Sequence, residues 1–217
     1  MISPLIKHID PDKVFCVSLT RREDRREKFK AQANALGIPF EFWDAVDGLA
    51  QNLSVPNTKI TPGAVGCYLS HMAIWQAALD NNWESVIVFE DDAKFADGFN
   101  TLVDAALPFL PADWQFTYLG GFEHGGFGSW KAQPNGWWVV PRCLWGTHAY
   151  MLRGKNTFET LVQRMAQQTM QLDEMLYNNV QPTDLLKFYH IIPNSVAQDF
   201  ENLGTDIQEY DETIKQN

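Results

Sequence analysis

The sequence predicts an α/β fold in which helices flank a central, mostly parallel sheet. In the first half of the chain, short apolar runs rich in β-forming residues alternate with longer helical patterns. The second half is richer in strand patterns and more irregular, which is consistent with an extension of the same domain. The length of 217 residues suits one well-packed unit. We therefore expect a single domain over residues 1–217.

The predicted elements follow from apolar periodicity and from start and stop signals. Short apolar runs with β-branched or aromatic residues predict strands at 14–19, 40–43, 85–89, 116–119, 137–140, 147–152 and 188–192. Helical patterns cover 21–36, 61–79, 98–107, 157–168 and 172–178. Thr61 followed by Pro62 is typical of a helix start, because the hydroxyl caps the first turn and proline fits within it. Gly37 is typical of a helix end.

Composition excludes several classes of protein. Hydrophobic residues make up 45% and charged residues 20%, as in ordinary globular domains. The apolar run at 86–89 is far shorter than the roughly 20 residues of a membrane helix. The N-terminus shows no signal-peptide pattern, so we expect a cytoplasmic location. Cys16, Cys67 and Cys143 are far apart without a CxxC pair, which argues against a disulfide framework and a structural zinc site.

The charge is acidic overall but unevenly distributed. Seventeen basic and twenty-seven acidic residues give a net charge of −10, which argues against nucleic-acid binding. Residues 21–30 nevertheless contain six basic and three acidic groups, a local patch suited to a small anionic ligand. From Asp199 onward acidic residues predominate, and we expect a solvated acidic tail over 199–217.

Three consecutive carboxylates, Glu90, Asp91 and Asp92, directly follow the predicted strand at 85–89. In open α/β sheets, ligands bind outside the carboxyl ends of the strands. Extended backbone would direct Glu90 and Asp92 to one side and Asp91 to the other. Carboxylate oxygens select Mg²⁺ or Mn²⁺, and such an ion commonly binds a diphosphate. The alternative is an acidic turn that caps the next helix or pairs with arginines.

Six stretches occur in a characteristic order. They are VFCVSLTRREDRREKFKAQANALGIPFEFWDAVDG at 14–48, TPGAVGCYLSHMAIWQAAL at 61–79, VIVFEDDAKF at 86–95, LGG at 119–121, WGTHAYML at 145–152 and LDEML at 172–176. Together they resemble glycosyltransferase family 25, which includes bacterial lipooligosaccharide galactosyltransferases and relatives of collagen galactosyltransferases. The resemblance implies a GT-A-type fold, a UDP-galactose or UDP-glucose donor, a divalent metal and inversion at the anomeric carbon. It also implies that Asp92 contacts the metal, while Glu90 and Asp91 hold the donor or the hydrated metal.

The segment after the first strand is a candidate nucleotide site. We expect Ser18, Leu19 and Thr20 to lie where a nucleotide would bind. Arg22 and Arg25 are three residues apart on a predicted helix, so they can face a diphosphate together. The alternative is a solvated basic face whose arginines pair with neighbouring glutamates.

Further donor contacts are expected from a turn and from a helix. Asp47, in the turn after the second strand, can bind a ribose hydroxyl, and the alternative is a plain turn aspartate. The resemblance places Ser70 and His71 near the donor phosphates. The alternative for His71 is a histidine that packs between helices.

An inverting transfer needs a base that removes the proton of the acceptor hydroxyl. We choose Asp173 for this role and Glu174 as the second choice, with an exposed acidic helix turn as the alternative. Glu123, Asp199 and Glu201 stay open as further bases. A third metal ligand is sought among His124, His148 and His190.

Residues 120–136 contain six of the fourteen glycines and predict a loop that closes over bound donor. Tryptophans surround this loop, and aromatic faces pack against the apolar faces of sugars. They are Trp130, Trp137, Trp138 and Trp145; for Trp145 we favour packing in the core.

These expectations divide the chain into a nucleotide-binding half at about 13–120 and an acceptor half at about 121–198. The expected partners are a nucleotide-sugar donor and a saccharide or lipid-linked saccharide acceptor, with peripheral contact at the inner face of a membrane. Two other classes stay open. One is a different metal-dependent, nucleotide-processing enzyme. The other is a catalytically silent sugar-binding protein, suggested by Ala64 and Ser18 where the family commonly has Glu and Asn.

Overall fold

A computed structural model describes residues 1–123, 138–139, 144–199, 203–204 and 206–207. The described helices are α1 (Pro4–Ile9), α2 (Glu23–Leu36), α3 (Pro62–Asp80), α4 (Phe99–Ala106), α5 (Lys155–Arg164) and α6 (Leu172–Asn179). The described strands are β1 (Lys13–Ser18), β2 (Glu41–Asp44), β3 (Ser85–Glu90), β4 (Ala93–Phe95), β5 (Phe116–Tyr118), β6 (Phe122–Glu123), β7 (Trp138–Val139), β8 (Leu144–Trp145), β9 (Ala149–Arg153), β10 (Phe188–Ile191) and β11 (Val196–Gln198).

Seven of the described strands form the central sheet, in the order β2-β1-β3-β9-β5-β10-β7. β2, β1, β3, β5 and β10 run in one direction, whereas β9 and β7 run in the other. The predicted α/β class with a mostly parallel sheet is therefore confirmed. Two small antiparallel pairs, β4 with β11 and β6 with β8, extend the sheet's carboxyl edge.

The central strands are buried because apolar layers cover both faces of the sheet. In β3, Ile87 and Phe89 pack into the layer that contains α2 and α4, whereas Val86 and Val88 pack into the layer with α3 and α5. This alternation explains why β3 is an unbroken apolar run. Flanking helices on both faces are the arrangement that the sequence predicts.

Local start and end signals are reproduced closely. Thr61 caps α3, since its side chain accepts a hydrogen bond from the backbone N–H of Ala64. Gly37 ends α2 with a φ of 70°, a conformation that a Cβ would strain. Five short elements were not predicted from the sequence: α1, β4, β6, β8 and β11. No helix in the described part of the chain combines the length and apolarity needed to cross a bilayer.

Candidate functional site

The site begins where two neighbouring parallel strands end. β1 and β3 pair in register up to Val17 and Glu90, and the N–H of Asp91 donates to the carbonyl of Val17 at 3.1 Å. The next residue of β1, Ser18, therefore lies beside the acidic segment. Its hydroxyl donates to Asp91 Oδ2 at 2.7 Å. The sheet thus brings together two segments that the sequence analysis singled out separately.

Arg25 neutralises this acidic segment from the first turns of α2. Its Nη1 lies 2.9 Å from Asp91 Oδ1 and 3.6 Å from Asp92 Oδ2. Both aspartates contact one guanidinium because β3 ends at Glu90 and a turn follows. The side chains of Asp91 and Asp92 therefore do not point to opposite sides, and the alternation expected of extended backbone ends before Asp92. Burial raises the pKa of Asp91, although Ser18 and Arg25 oppose the shift.

Asp92 retains a carboxylate oxygen without a hydrogen bond. Its Oδ2 accepts from Gln198 Nε2 at 2.9 Å, while its Oδ1 is buried without a hydrogen-bond partner. Burial and the charge of Glu90 raise the pKa of Asp92 to about 7. Since a buried, unpartnered oxygen is costly, this atom suits a cation ligand. The residues present therefore fit the divalent ion that the sequence predicts.

Glu90 is held by contacts with Thr147 and His71. Its Oε1 accepts from Thr147 Oγ1 at 2.7 Å and lies 3.3 Å from His71 Nε2. Burial alone would raise the pKa of Glu90, but the nearby His71 and the hydroxyl of Thr147 lower it below its ordinary value. Glu90 is therefore a buried, ionised carboxylate.

His71 is part of a buried polar chain. Its Nδ1 lies 2.7 Å from the hydroxyl of Tyr150, which also accepts from Trp75 Nε1 at 3.1 Å. The ring is therefore fixed on both sides, by Tyr150 and by Glu90. Both interpretations of His71 therefore apply in part. The side chain is a packing residue between α3 and the sheet, and its Nε2 also reaches Glu90 in the acidic segment.

A cleft opens at this edge and is hereafter the first cleft. Eight of the predicted residues line it: Ser18, Leu19, Arg25, Asp47, His71, Glu90, Asp91 and Asp92. Its wall comes from the loop after β2 and from the start of α3. Gly66 allows these to meet, because a Cβ there would lie 2.3 Å from the carbonyl oxygen of Val46.

Asp206 closes one side of the first cleft against the arginines. Its Oδ1 accepts from Arg21 Nη2 at 2.9 Å, its Oδ2 pairs with Arg22, and it lies 3.5 Å from Arg25 Nη2. Arg21 also donates to Asp47 Oδ2 at 2.7 Å. Arg21 and Arg22 thus pair with aspartates that are distant in sequence, and Arg22 also pairs with the nearby Asp24. The sequence-based alternative, pairing with the neighbouring glutamates, is not what the described residues show. The backbone of Ala50 and the guanidinium of Arg21 lower the pKa of Asp47.

The expectation of a solvated acidic tail does not hold for its described part. Asp199 is buried and pairs with Lys28, and Asp206 pairs with arginines. These contacts form because the segment returns to the basic face of α2 after β11. Burial of Asp199 against Lys28 also leaves it an implausible catalytic base.

A second cleft adjoins the first and contains the predicted base. It is lined by Phe122, Trp145, Gly146, Leu172, Asp173 and others, and it shares Cys67, Glu90 and Ile207 with the first cleft. Asp173 Oδ2 accepts from the N–H of Gly146 at 3.1 Å, and Oδ1 accepts from the N–H of Glu174 at 2.9 Å. Burial raises the pKa of Asp173, although these backbone contacts oppose the shift.

The expected donor contacts Thr20, Arg22 and Ser70 and the second-choice base Glu174 lie outside the lining of both clefts. Thr20 is exposed, Arg22 pairs with Asp24 and Asp206, and Glu174 is half-buried. Ser70 is buried; it accepts from the N–H of Val46 at 2.9 Å and donates to the carbonyl of Gly66 at 2.7 Å. Ser70 therefore fixes the wall of the first cleft.

Some predicted residues do not reach the clefts or fall outside the described part of the chain. His148 Nε2 lies 3.3 Å from the carbonyl of Val196, and His190 Nε2 lies 2.6 Å from Asn194 Oδ1. Outside the described residues, or with undescribed side chains, are Glu123, His124, Trp130, Trp137, Trp138 and Glu201. Trp145, expected in the core, is half-buried and lines the second cleft.

Among the residues that shape the site but were not predicted from the sequence are Thr147, Tyr150, Gln198 and Asp206. Thr147 and Tyr150 belong to the quoted stretch at 145–152, so that stretch was the available signal. Gln198 and Asp206 carry no local signal, because their contacts lie more than a hundred residues away.

The fold is that of an α/β protein with two adjoining clefts at the carboxyl edge of its sheet. A family model described as "Glycosyltransferase family 25 (LPS biosynthesis protein)" matches residues 11–128, more than half of the chain. The chain belongs to glycosyltransferase family 25, and the resemblance read from the sequence is confirmed.

Individual relatives are similar over part of their length. The inactive glycosyltransferase 25 family member 3 of Homo sapiens is 29% identical over 184 residues, covering 76% of this chain and 31% of the relative. Procollagen galactosyltransferase 1-B of Xenopus laevis is 35% identical over 128 residues, covering 50% of this chain and 21% of the relative. The chain therefore spans less than a third of the length of either relative.

Among solved structures, a glycosyltransferase involved in the glycosylation of the major capsid of PBCV-1 aligns with a TM-score of 0.48. It is 10% identical, and the alignment covers 82% of this chain and 79% of that one.

Proposed function

We propose that this chain is a metal-dependent, inverting glycosyltransferase that moves galactose or glucose from a UDP-sugar to a saccharide acceptor. One observation carries the proposal: two adjoining clefts share Glu90 in their walls. A transferase must bind donor and acceptor side by side, so that the reacting atoms approach within bonding distance. Membership of family 25 supports the reaction class, and the named galactosyltransferase relative supports galactose as the sugar.

The first cleft is the proposed donor site. Ser18 and Leu19 border it at the end of β1, where nucleotides bind in open α/β sheets. Arg21 also borders it and supplies a positive charge for the diphosphate. Asp47 stands at the same rim, within reach of a ribose hydroxyl.

The turn formed by Glu90, Asp91 and Asp92, hereafter the acidic turn, is the proposed place for Mn²⁺ or Mg²⁺. Asp92 would hold the ion through its unpartnered Oδ1, with Glu90 as the second carboxylate. When bound, such an ion stabilises the negative charge that develops on a departing diphosphate. Arg25 balances the charge of Asp91 and keeps the turn in place.

The second cleft is the proposed acceptor site, and Asp173 is its base. Two backbone N–H groups orient the carboxylate, and burial raises its pKa above the ordinary value of an aspartate, which makes it a stronger base. Phe122, which is exposed, and Trp145 offer aromatic surface for a sugar ring. Asp173 would take the proton of the acceptor's hydroxyl group. The hydroxyl oxygen of the acceptor would then form a bond to the anomeric carbon of the donor as the bond between that carbon and the diphosphate breaks.

The cellular role is proposed from the family alone. The acceptor would be a saccharide or lipid-linked saccharide in lipooligosaccharide or surface-polysaccharide synthesis. We place the protein in the cytoplasm, in peripheral contact with the inner face of the membrane. The division into halves at about residue 120, with the Gly-rich loop as a closing element, stays a prediction.

Calorimetry with UDP tests the donor site. We expect UDP to bind in Mn²⁺ and to bind at least ~10-fold more weakly in EDTA, and we expect Asp92→Asn to abolish this metal dependence. Asp97→Asn, an exposed residue a few positions along, is the matched control. If wild-type protein binds no UDP or UDP-sugar with either ion, the proposal is wrong.

A catalytically silent UDP-sugar-binding protein is the second candidate. The observation that favours it is similarity, over 76% of the chain, to a relative named inactive. The two candidates differ in turnover: a transferase releases UDP and forms a new glycosidic bond, whereas a silent protein binds the donor and returns it unchanged. A different nucleotide-processing enzyme would instead cleave the nucleoside diphosphate.

A further inference from the structure

Three side chains with different ligand atoms meet where the first and second clefts join. Cys67 Sγ, His71 Nε2 and a carboxylate oxygen of Glu90 lie within 4.8 Å of one another. Cys67 and His71 are four residues apart on α3, so they project from one face of that helix, and Glu90 approaches from the end of β3. Two regular elements therefore hold the group, and no loop is needed to form it.

The spacing of these atoms suits a tetrahedral ion. His71 Nε2 lies 3.3 Å from Glu90 Oε1, and two such ligands on one zinc ion are separated by about 3.4 Å at ordinary bond lengths. His71 is fully buried, and its Nε2 faces Glu90 Oε1 without meeting hydrogen-bond geometry, so an ion between the two atoms would satisfy both. The thiol has to approach by at most about 1 Å to reach its own bonding position.

The histidine is already oriented for a metal. Tyr150 contacts its other nitrogen at 2.7 Å and itself accepts from Trp75 at 3.1 Å. Metal-binding histidines are commonly fixed in this way through the nitrogen that faces away from the ion. Cys67 lines both clefts and is half-buried, so an ion has a route from solvent.

We propose that Cys67, His71 and Glu90 bind a thiophilic divalent ion, with Zn²⁺ as the best fit. Sulfur, nitrogen and oxygen donors together select Zn²⁺ over Mg²⁺ or Mn²⁺, which favour oxygen ligands. The thiol proton is released to solvent as the thiolate binds, and three protein ligands leave the fourth position open to the clefts. This binding does not depend on the proposed transferase activity. Because Glu90 belongs to both sites, we expect Zn²⁺ to antagonise Mn²⁺-supported UDP binding.

A titration of metal-free protein with Zn²⁺ against a chromophoric chelator tests the proposal, together with the absorption spectrum of the Co²⁺-substituted protein. We expect one equivalent of Zn²⁺ and a thiolate-to-cobalt charge-transfer band. Cys67→Ser should weaken Zn²⁺ binding more than ~10-fold and remove the band. Cys143→Ser, which changes another of the three cysteines, should leave both unchanged. Circular dichroism establishes that each variant is folded.

Two results would overturn the proposal. One is a wild-type protein that takes up no Zn²⁺; the other is a Cys67→Ser variant that keeps the affinity and the band. Asp92→Asn separates this site from the proposed donor site, since it should keep the Zn²⁺ affinity while losing Mn²⁺-supported UDP binding. If Asp92→Asn loses Zn²⁺ uptake, the ion binds at the acidic turn and the proposed site is wrong. If wild-type protein takes up Zn²⁺ normally but binds no UDP, only the transferase proposal is rejected.

Discussion

Arg25 Nη1 donates a 2.9 Å hydrogen bond to Asp91 Oδ1, and the side chains of both residues are buried. This ion pair fixes the start of α2 against the turn after β3. It also holds the position of Asp92, whose Oδ2 lies 3.6 Å from the same nitrogen. A residue expected to face a diphosphate is thus also part of the framework that keeps the acidic turn compact.

The first prediction concerns this pair. Arg25→Met should lower the free energy of unfolding by about 3–5 kcal/mol, because it leaves buried carboxylates without their counter-charge. Urea denaturation measures the change. Lys155→Met, which removes an exposed partner of Glu159, should cost less than about 1 kcal/mol. Equal, small effects of the two substitutions would show that the buried pair does not stabilise the fold.

The second prediction concerns pH and the metal-free protein. The pKa of Asp92 is raised to about 7 in the folded protein, above its value in an unfolded chain. The unfolded state therefore releases its proton first, and the contribution of Asp92 to stability falls as pH rises from about 4 through about 7. Asp92→Asn should remove this part of the decline, so the variant should gain thermal stability relative to wild type at pH 8 but not at pH 4. A difference that is the same at both pH values would contradict the shift.

The third prediction separates binding from chemistry. Asp173→Asn should keep the UDP affinity, since Asp173 lies in the second cleft, and should lower kcat for transfer by about 10²–10⁴-fold because the base is gone. Product formation from UDP-galactose or UDP-glucose is measured beside calorimetry. Glu174→Gln is the paired variant. A large loss in Glu174→Gln with little change in Asp173→Asn would move the base to Glu174.

The fourth prediction concerns Asp206. Its carboxylate occupies Arg21 and Arg22, which a diphosphate would otherwise approach. Asp206→Asn should therefore strengthen UDP binding about 2- to 5-fold, the range expected for a partly exposed ion pair. Asp104→Asn, which pairs with His8 away from both clefts, serves as the control. Weaker UDP binding in Asp206→Asn would mean that Asp206 contributes to the donor site.

The parts of the fold that depend on local pattern were predictable. β3 is an unbroken apolar run because both of its faces are buried. The carboxylates that follow it therefore stand out against the apolar run in the sequence. The start of α3 was predictable because the cap and the proline are adjacent in sequence. Strands of two or three residues, such as β4 and β11, carry too few residues to show a period.

Many residues of the site could be predicted from the sequence, but the contacts among them could not. Ser18 and Asp91 were both singled out, but their hydrogen bond depends on β1 and β3 being neighbours, which no local pattern shows. Asp206 was expected in solvent because nothing nearby in sequence indicates that its segment returns to α2. Long-range pairing of charges is decided by topology, and one sequence does not display it.

The pairing of β4 with β11 has a consequence for synthesis on the ribosome. Gln198, the residue that holds Asp92, is made 106 residues after it. A nascent chain can therefore assemble β1, β3 and α3 while the Asp92 carboxylate still lacks its amide partner. The acidic turn acquires the contact between Gln198 and Asp92 only when the β11 segment emerges and pairs with β4, so competence to bind ligand should arise late in synthesis.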